Sequence, residues 1–240
     1  MIAAKFVAVV VLGYLLGSVP FGLLIGKRIA KVDVRQYGSG KTGATNVVRT
    51  VGVKAAAMVC SLDLLKGVLA VVFAGLIIDR GYLVIGGFGL GALVAQVLAA
   101  LAAIAGHNWS IFLRFRGGRG VATFFGGLIA LCPPAAIFGG EILIIGAGLT
   151  KFVSLGSIAG AVGTYAILVP LTIMNGFPIE YLVYTLAGTI IILVMHRGNI
   201  ARLLAGKERR LGEKAEKEDS PPSSYPRNQD FGEPQTKDMG

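Results

Sequence analysis

Residues Gly106 to Thr123 read GHNWSIFLRFRGGRGVAT and lie between two long apolar runs, roughly residues 83–105 and 121–139. His107 opens the stretch. Three arginines (Arg114, Arg116, Arg119) and the run Gly117-Gly118-Arg119-Gly120 follow. Glycines let a backbone turn its N–H groups toward an anion, and arginine forks grip phosphate oxygens in pairs. Val121 begins the next apolar run, so the glycines precede a helix start, where the dipole also favours negative charge. A basic turn wedged between apolar segments reads as a phosphate site at a bilayer surface.

Outward from this loop the chain is apolar. Of its 240 residues 54% are hydrophobic and 15% charged, and the mean hydropathy is +0.72. A soluble domain of this length has no interior large enough for so much apolar sequence. Runs near the ~20 residues that cross a bilayer fall at about 5–26, 55–78, 83–105, 121–139, 135–150, 153–174 and 179–195. The sequence therefore predicts an all-α integral membrane protein. The ~10-residue alternation of a membrane β-barrel is absent. Cys132-Pro133-Pro134 interrupts the fourth and fifth runs. One tilted helix plus a second, or two short helices with a re-entrant turn, both fit that region. Seven crossings is the expected count, with six as the alternative.

Charge sets the orientation. Residues 27–54 carry seven basic side chains, the arginine loop three, Lys151 one, and residues 197–210 five. Seven crossings put all of these on one side and leave Lys5 and Arg80 on the other. The positive-inside rule then places the N-terminus outside and the C-terminus in the cytoplasm. From residue 212 onward the chain is acidic and proline-rich, with 4 basic and 7 acidic residues. Such a segment buries too little to order itself and is expected to be a disordered tail on a membrane domain of residues 1–211. The formal net charge of +10 points to membrane lipids or phosphorylated substrates. Nucleic acid is not an expected partner, because a nucleic-acid site between membrane helices is implausible. Cys60 and Cys132 are expected to stay reduced, and no spacing implies a metal or cofactor. Nothing in the sequence sets an oligomeric state.

Two further polar segments share the basic side. Tyr37 to Arg49 reads YGSGKTGATNVVR. A P-loop needs a glycine at position 35, which is Arg35, and a preceding strand, where a membrane helix is expected. The remaining reading is a glycine loop offering N–H groups, Ser39, Thr45 and Asn46 to an anion, with Arg49 adding charge. His196 to Glu208 reads HRGNIARLLAGKE; His196 and Asn199 share a helix face, and Arg202 lies three further on. Asp63 and Lys66 are also three apart inside an apolar run. They are expected to pair, whether as a functional couple or as a brace for the loops. His107 reads equally as a hydrogen-bonded helix-end residue or as a participant. Neither histidine has an aspartate five residues on, and no G-x-S-x-G elbow occurs, so a covalent acyl-enzyme is unsupported.

These three segments resemble those of the bacterial acyl-phosphate:glycerol-3-phosphate acyltransferases, the PlsY family. Its patterns GSGNxGATNxxR, GHxxPxFxxFKGGKGVAT and HRxNIxRLLxGxE stand here as GSGKTGATNVVR, GHNWSIFLRFRGGRGVAT and HRGNIARLLAGKE. The resemblance covers about residues 5–211. It implies seven helices and a cytoplasmic active site that moves an acyl group from acyl phosphate to the sn-1 hydroxyl of glycerol 3-phosphate. The products are lysophosphatidate and phosphate. Carried over, Ser39, Arg49, Arg119, His196 and Asn199 form the expected catalytic set. Gly40, Gly43, Thr45, Asn46, Gly117 and Gly118 form an expected acyl-phosphate cradle, with His107, Arg116 and Arg202 as further substrate contacts. Four departures stand out: Lys41 for asparagine, Ser110 for proline, and Arg116 and Arg119 for both lysines of KGGK. The competing class of function is a membrane transporter for an anionic phosphorylated solute. It expects inverted repeats and its polar motifs at the midplane, whereas the sequence shows no such repeat and places its polar motifs on one side.

Overall fold

A computed structural model describes residues 1–214. The tail expected to be disordered lies outside the described residues from position 215 on. Ten α-helices and one hairpin follow in order: α1 Ile2–Ser18, α2 Phe21–Ala30, α3 Ala44–Thr50, α4 Val53–Ile78, β1 Leu83–Ile85, β2 Phe88–Leu90, α5 Ala92–Asn108, α6 Val121–Leu131, α7 Pro133–Thr150, α8 Val153–Asn175, α9 Ile179–Met195 and α10 Arg197–Leu204. Cys60 and Cys132 are both free.

Five stretches are long and apolar enough to cross a membrane: Ile2–Ala30, Val53–Ile78, Ala92–Leu113, Pro133–Thr150 and Val153–Asn175. Ile179–Met195 makes a sixth only if Arg197–Leu204, which continues it across a 61° bend, belongs to the same span. The run expected at 121–139 is shorter than its composition implied. Cys132 ends α6 and Pro133 starts α7, because proline lacks the N–H an uninterrupted helix would need. With 11 residues, α6 rises about 16 Å, half the thickness of a hydrocarbon core. The first run is also broken, with Val19 and Pro20 separating α1 from α2.

The run expected at 83–105 begins differently. Residues 83–90 form a two-stranded antiparallel hairpin in which Ile85 faces Phe88, and α5 starts only at Ala92. Gly86 and Gly87, at φ +56° and +85°, supply the two left-handed positions that a two-residue hairpin turn demands. Gly87 therefore serves the hairpin turn and Gly91 the start of α5.

Seven helices alternate in direction. Gly13 rests on the Ala99 backbone and Gly17 on Ala103, so α1 and α5 run parallel. Lys66 meets His107, and Gly75 meets Gln96, so α4 opposes α5. Gly139 packs on Gly160 and Gly156 on Ala147, while Gly127 meets Tyr184 and Gly188 meets Phe124. These pairs make α7 antiparallel to α8 and α6 antiparallel to α9. As a result α1, α5, α7 and α9 all finish at one end, where the connections 31–52 and 109–120, Lys151 and α10 are gathered. Small residues let the backbones touch, and van der Waals packing then supplies the cohesion that the hydrophobic effect cannot supply in lipid. Polar bonds add register: the Tyr184 hydroxyl donates to Phe124 O at 2.8 Å and Thr189 to Ala161 O at 2.9 Å.

At Gly13 any side chain would enter the Ala99 backbone, whereas nothing lies within 4 Å of a side chain added at Gly148. Gly13→Leu should cost about 1–3 kcal/mol or more through overpacking. Gly148→Ala should be neutral or stabilise by up to about 1 kcal/mol. Thermal unfolding in detergent separates them, and equal midpoints would contradict the α1–α5 contact.

Candidate active site

The first polar loop is organised by one side chain. Asn46, buried at the start of α3, accepts from Ser39 N at 3.1 Å and donates to the carbonyls of Val34 (2.7 Å), Lys41 (2.9 Å) and Tyr37 (3.1 Å). Gly40, at φ +63°, gives its N–H to Tyr37 O at 3.1 Å. The Gly40 amide and the Asn46 side chain are thus spent within the loop, where a role in cradling an anion was expected. Ser39, Gly43, Thr45 and Arg49 line a cavity, and an added side chain at Gly43 would meet nothing within 4 Å.

The arginine loop is docked onto the end of α5. Gly117 donates to Asn108 O and Gly118 to His107 O, each at 3.0 Å. The N–H groups of these two glycines thus bond within the protein, to carbonyls at the end of α5. Their lack of a side chain serves close approach: a Cβ at Gly118 would collide with the His107 ring, and one at Gly117 with His107 O. His107 is buried, with Nδ1 2.8 Å from Lys66 Nζ and 3.4 Å from Asp63 Oδ1. Lys66 and Asp63 pair at 2.8 Å as their spacing predicted, and Lys66 also donates to Val19 O at the α1–α2 break. This buried group holds α5 and the arginine loop against α4. Ser110, the departure from proline, donates to Ser18 O at 2.6 Å and ties the loop to the end of α1.

The third segment brings His196 and Asn199 to the same cavity. His196 Nδ1 lies 2.8 Å from Ile192 O. A carbonyl only accepts, so Nδ1 carries the proton and Nε2 keeps its lone pair. Burial, with Arg119 next in effect, pushes the imidazole down to about pKa 4. Glu208, which sequence reasoning left in the background, is the clamp of this region. Its carboxylate accepts from Ser154 (2.9 Å), Asn199 (2.6 Å) and Arg202 (2.8 Å). Arg49 donates to the carbonyls of Arg209 and Arg210, drawing the chain after α10 across the site.

Two cavities result. One, of about 380 Å³, has Arg49, Arg119, His196 and Asn199 at its polar end and Phe125, Ile129, Leu143 and Ile144 along its apolar wall. Ile144 is 70% exposed, so this wall continues onto the outer flank of the bundle. The other, of about 440 Å³, is lined by Arg116, Arg119, Arg197, Arg202 and Arg209. Ser39, Lys41, Arg119, Asn199 and Arg209 border both. Asn46 and His107 reach the first cavity, Arg116 and Arg202 the second, while Gly40, Gly117 and Gly118 line neither. Arg119 is lowered to about pKa 10 by burial and by Arg202, Arg49 and Arg209, against the pull of Glu208. It remains a cation at neutral pH, in surroundings that favour an anion beside it.

A sequence profile of the glycerol-3-phosphate acyltransferases matches residues 7–206. The chain belongs to the glycerol-3-phosphate acyltransferase family. It is 64% identical over 215 residues to a glycerol-3-phosphate acyltransferase 3 of Dehalococcoides mccartyi, covering 90% of this chain and 100% of that one. It is 45% identical over 203 residues to a glycerol-3-phosphate acyltransferase of Halalkalibacterium halodurans, covering 85% and 94%. The fold is similar to the crystal structure of PlsY, an integral membrane glycerol 3-phosphate acyltransferase, in its glycerol 3-phosphate form. That match has a TM-score of 0.73 and 34% identity, covering 86% of this chain and 96% of that one. The lysophosphatidic acid form of PlsY matches with a TM-score of 0.71 and 33% identity, covering 86% and 95%. Membership in this acyltransferase family and the apolar helices together make the protein a multi-pass membrane protein.

A pKa below the ordinary histidine value means that His196 stays neutral down to about pH 4. An NMR titration, in which this imidazole is one of only two in the chain, should show it uncharged at pH 6. A midpoint near 6.5 would contradict the buried, arginine-flanked setting.

Proposed function

We propose that this member of the family transfers a fatty acyl group from acyl phosphate to the sn-1 hydroxyl of glycerol 3-phosphate, releasing lysophosphatidate and inorganic phosphate. The observation that carries the reading is the junction of an apolar-walled cavity and a cationic one across Arg119, Ser39 and Asn199. An acyl phosphate has the matching two-ended chemistry, with its chain against Phe125, Leu143 and Ile144 and its phosphate at the shared wall. Glycerol 3-phosphate fits the arginine-lined cavity, its phosphate toward Arg116 and Arg202 and its hydroxyls toward Ser39, Asn199 and His196.

In this arrangement the glycerol oxygen attacks the acyl carbonyl carbon, the carbon–oxygen bond to phosphate breaks, and the hydroxyl proton passes to a base. His196 Nε2, neutral and unprotonated, is one candidate; the substrate's own phosphate, with a second pKa of ~6, is the other. Arg119 and Arg49 stabilise the departing phosphate and the developing oxyanion, a contribution that is large where water is excluded. Holding both substrates at one wall supplies the rest. The membrane arrangement we infer has seven crossings, with α6 as the short one, the N-terminus outside, and the site at the cytoplasmic face.

Purified protein supplied with labelled glycerol 3-phosphate should form lysophosphatidate from acyl phosphate, and not from acyl-CoA or acyl carrier protein. Product from acyl-CoA alone would move the donor to another class. His196→Gln should lower kcat by about 10²–10⁴-fold if the imidazole is the base. Near-normal kcat would transfer that role to the substrate phosphate.

A further inference from the structure

Five residues border both cavities, and Ser39, Arg119 and Asn199 belong to the set already described. Lys41 does not. It stands where the GSGNxGATN pattern has a neutral asparagine, while Arg119 stands where KGGK ends in lysine. The structure puts these two departures at one wall, from opposite loops. Lys41 is partly buried there, and its ammonium is disfavoured first by burial and then by Arg119, Arg197 and Arg116. Among the described residues no carboxylate lies within ion-pair distance of it. Glu208 is engaged by Ser154, Asn199 and Arg202. A cation so placed gains its partner only when an anion enters.

We infer that Lys41 is a substrate-binding residue whose ammonium contacts a substrate phosphate at the shared wall, replacing from the first loop the ammonium that position 119 lacks. The two groups are not equivalent. A guanidinium is a rigid fork, whereas an ammonium is a compact charge with three donors on a flexible stem. Arginine at 119 brings a planar grip, and among the described residues its buried Nε has no hydrogen-bond partner; Lys41 adds an adjustable point charge beside it. The loop does not need the lysine side chain to hold its shape, because Asn46 anchors it through the Lys41 carbonyl. The inference rests on the phosphate-transfer reading above, and the phosphate is that of the acyl donor or of glycerol 3-phosphate.

The test compares wild type, Lys41→Asn, Arg119→Lys and the double variant, with kinetics in each substrate and with glycerol 3-phosphate and inorganic phosphate binding by calorimetry. Thermal unfolding first establishes that each variant is folded. Lys41→Asn should lower kcat/KM about ten- to hundredfold, the range for a hydrogen bond to a charged group. The substrate whose KM rises identifies the phosphate held. The double variant should regain about tenfold or more over Lys41→Asn alone. A folded Lys41→Asn enzyme with wild-type kcat/KM for both substrates would overturn the inference, and a double variant no better than Lys41→Asn would overturn the exchange with position 119. Binding needs no turnover, so it separates this inference from the choice of donor. Weaker anion binding by Lys41→Asn supports it even if acyl phosphate proves inactive, and unchanged affinity for both anions overturns it.

Discussion

Crowding of like charge governs the site end of this molecule. Lys41, Arg49, Arg116, Arg119, Arg197, Arg202 and Arg209 all border the two cavities, where the only carboxylates among the described residues are Asp63 and Glu208. Asp63 is already paired with Lys66. Glu208 accepts from Arg202 and fixes Asn199 and Ser154, so among the described residues most of the cationic charge has no counter-ion. Desolvated cations near one another are costly, and the lowered pKa of Arg119 expresses that cost. The fold bears it because the arginine loop is fastened to α5 by backbone bonds and to α1 by Ser110, and the strap after α10 is fastened by Arg49. A phosphate beside these cations offsets the repulsion, so the crowding favours anions.

The neighbouring apolar wall depends on the same fastening. Because α6 stops at Cys132 and α7 returns at once, Phe125, Ile129, Leu143 and Ile144 can form one surface running from the outer flank to Arg119. A full-length sixth helix would continue past the point where that surface turns. The proline break thus shapes the cavity that meets the cationic one, and the glycine contacts of α1 with α5 keep the other half of the bundle compact behind it.

Much of this was readable from residue order. The three polar segments, the Asp63–Lys66 pair and the break at Cys132-Pro133 follow from local spacing, and spacing is what a sequence displays. The hairpin at 83–90 was hidden because its residues are as apolar as a membrane helix; Gly86-Gly87 between Ile85 and Phe88 carried the signal that hydropathy masks. The fate of the glycine N–H groups was not legible, since Gly117 and Gly118 bond to carbonyls at the end of a different helix, and tertiary partners leave no periodic trace. Glu208 escaped notice for the same reason: Ser154 lies 54 residues away from it in the chain. In the arginine loop the glycines also allow close approach to His107.

The central claim is that acyl chain and glycerol phosphate occupy separate cavities that meet at Arg119. A crystal structure with glycerol 3-phosphate and a non-hydrolysable acyl phosphonate brominated at its chain end tests this directly through the bromine anomalous signal. The account expects the bromine along the apolar wall beside Leu143 and Ile144, with the phosphonate at Arg119. Bromine density among Arg116, Arg197 and Arg202, or a chain lying wholly outside the apolar cavity, would contradict it.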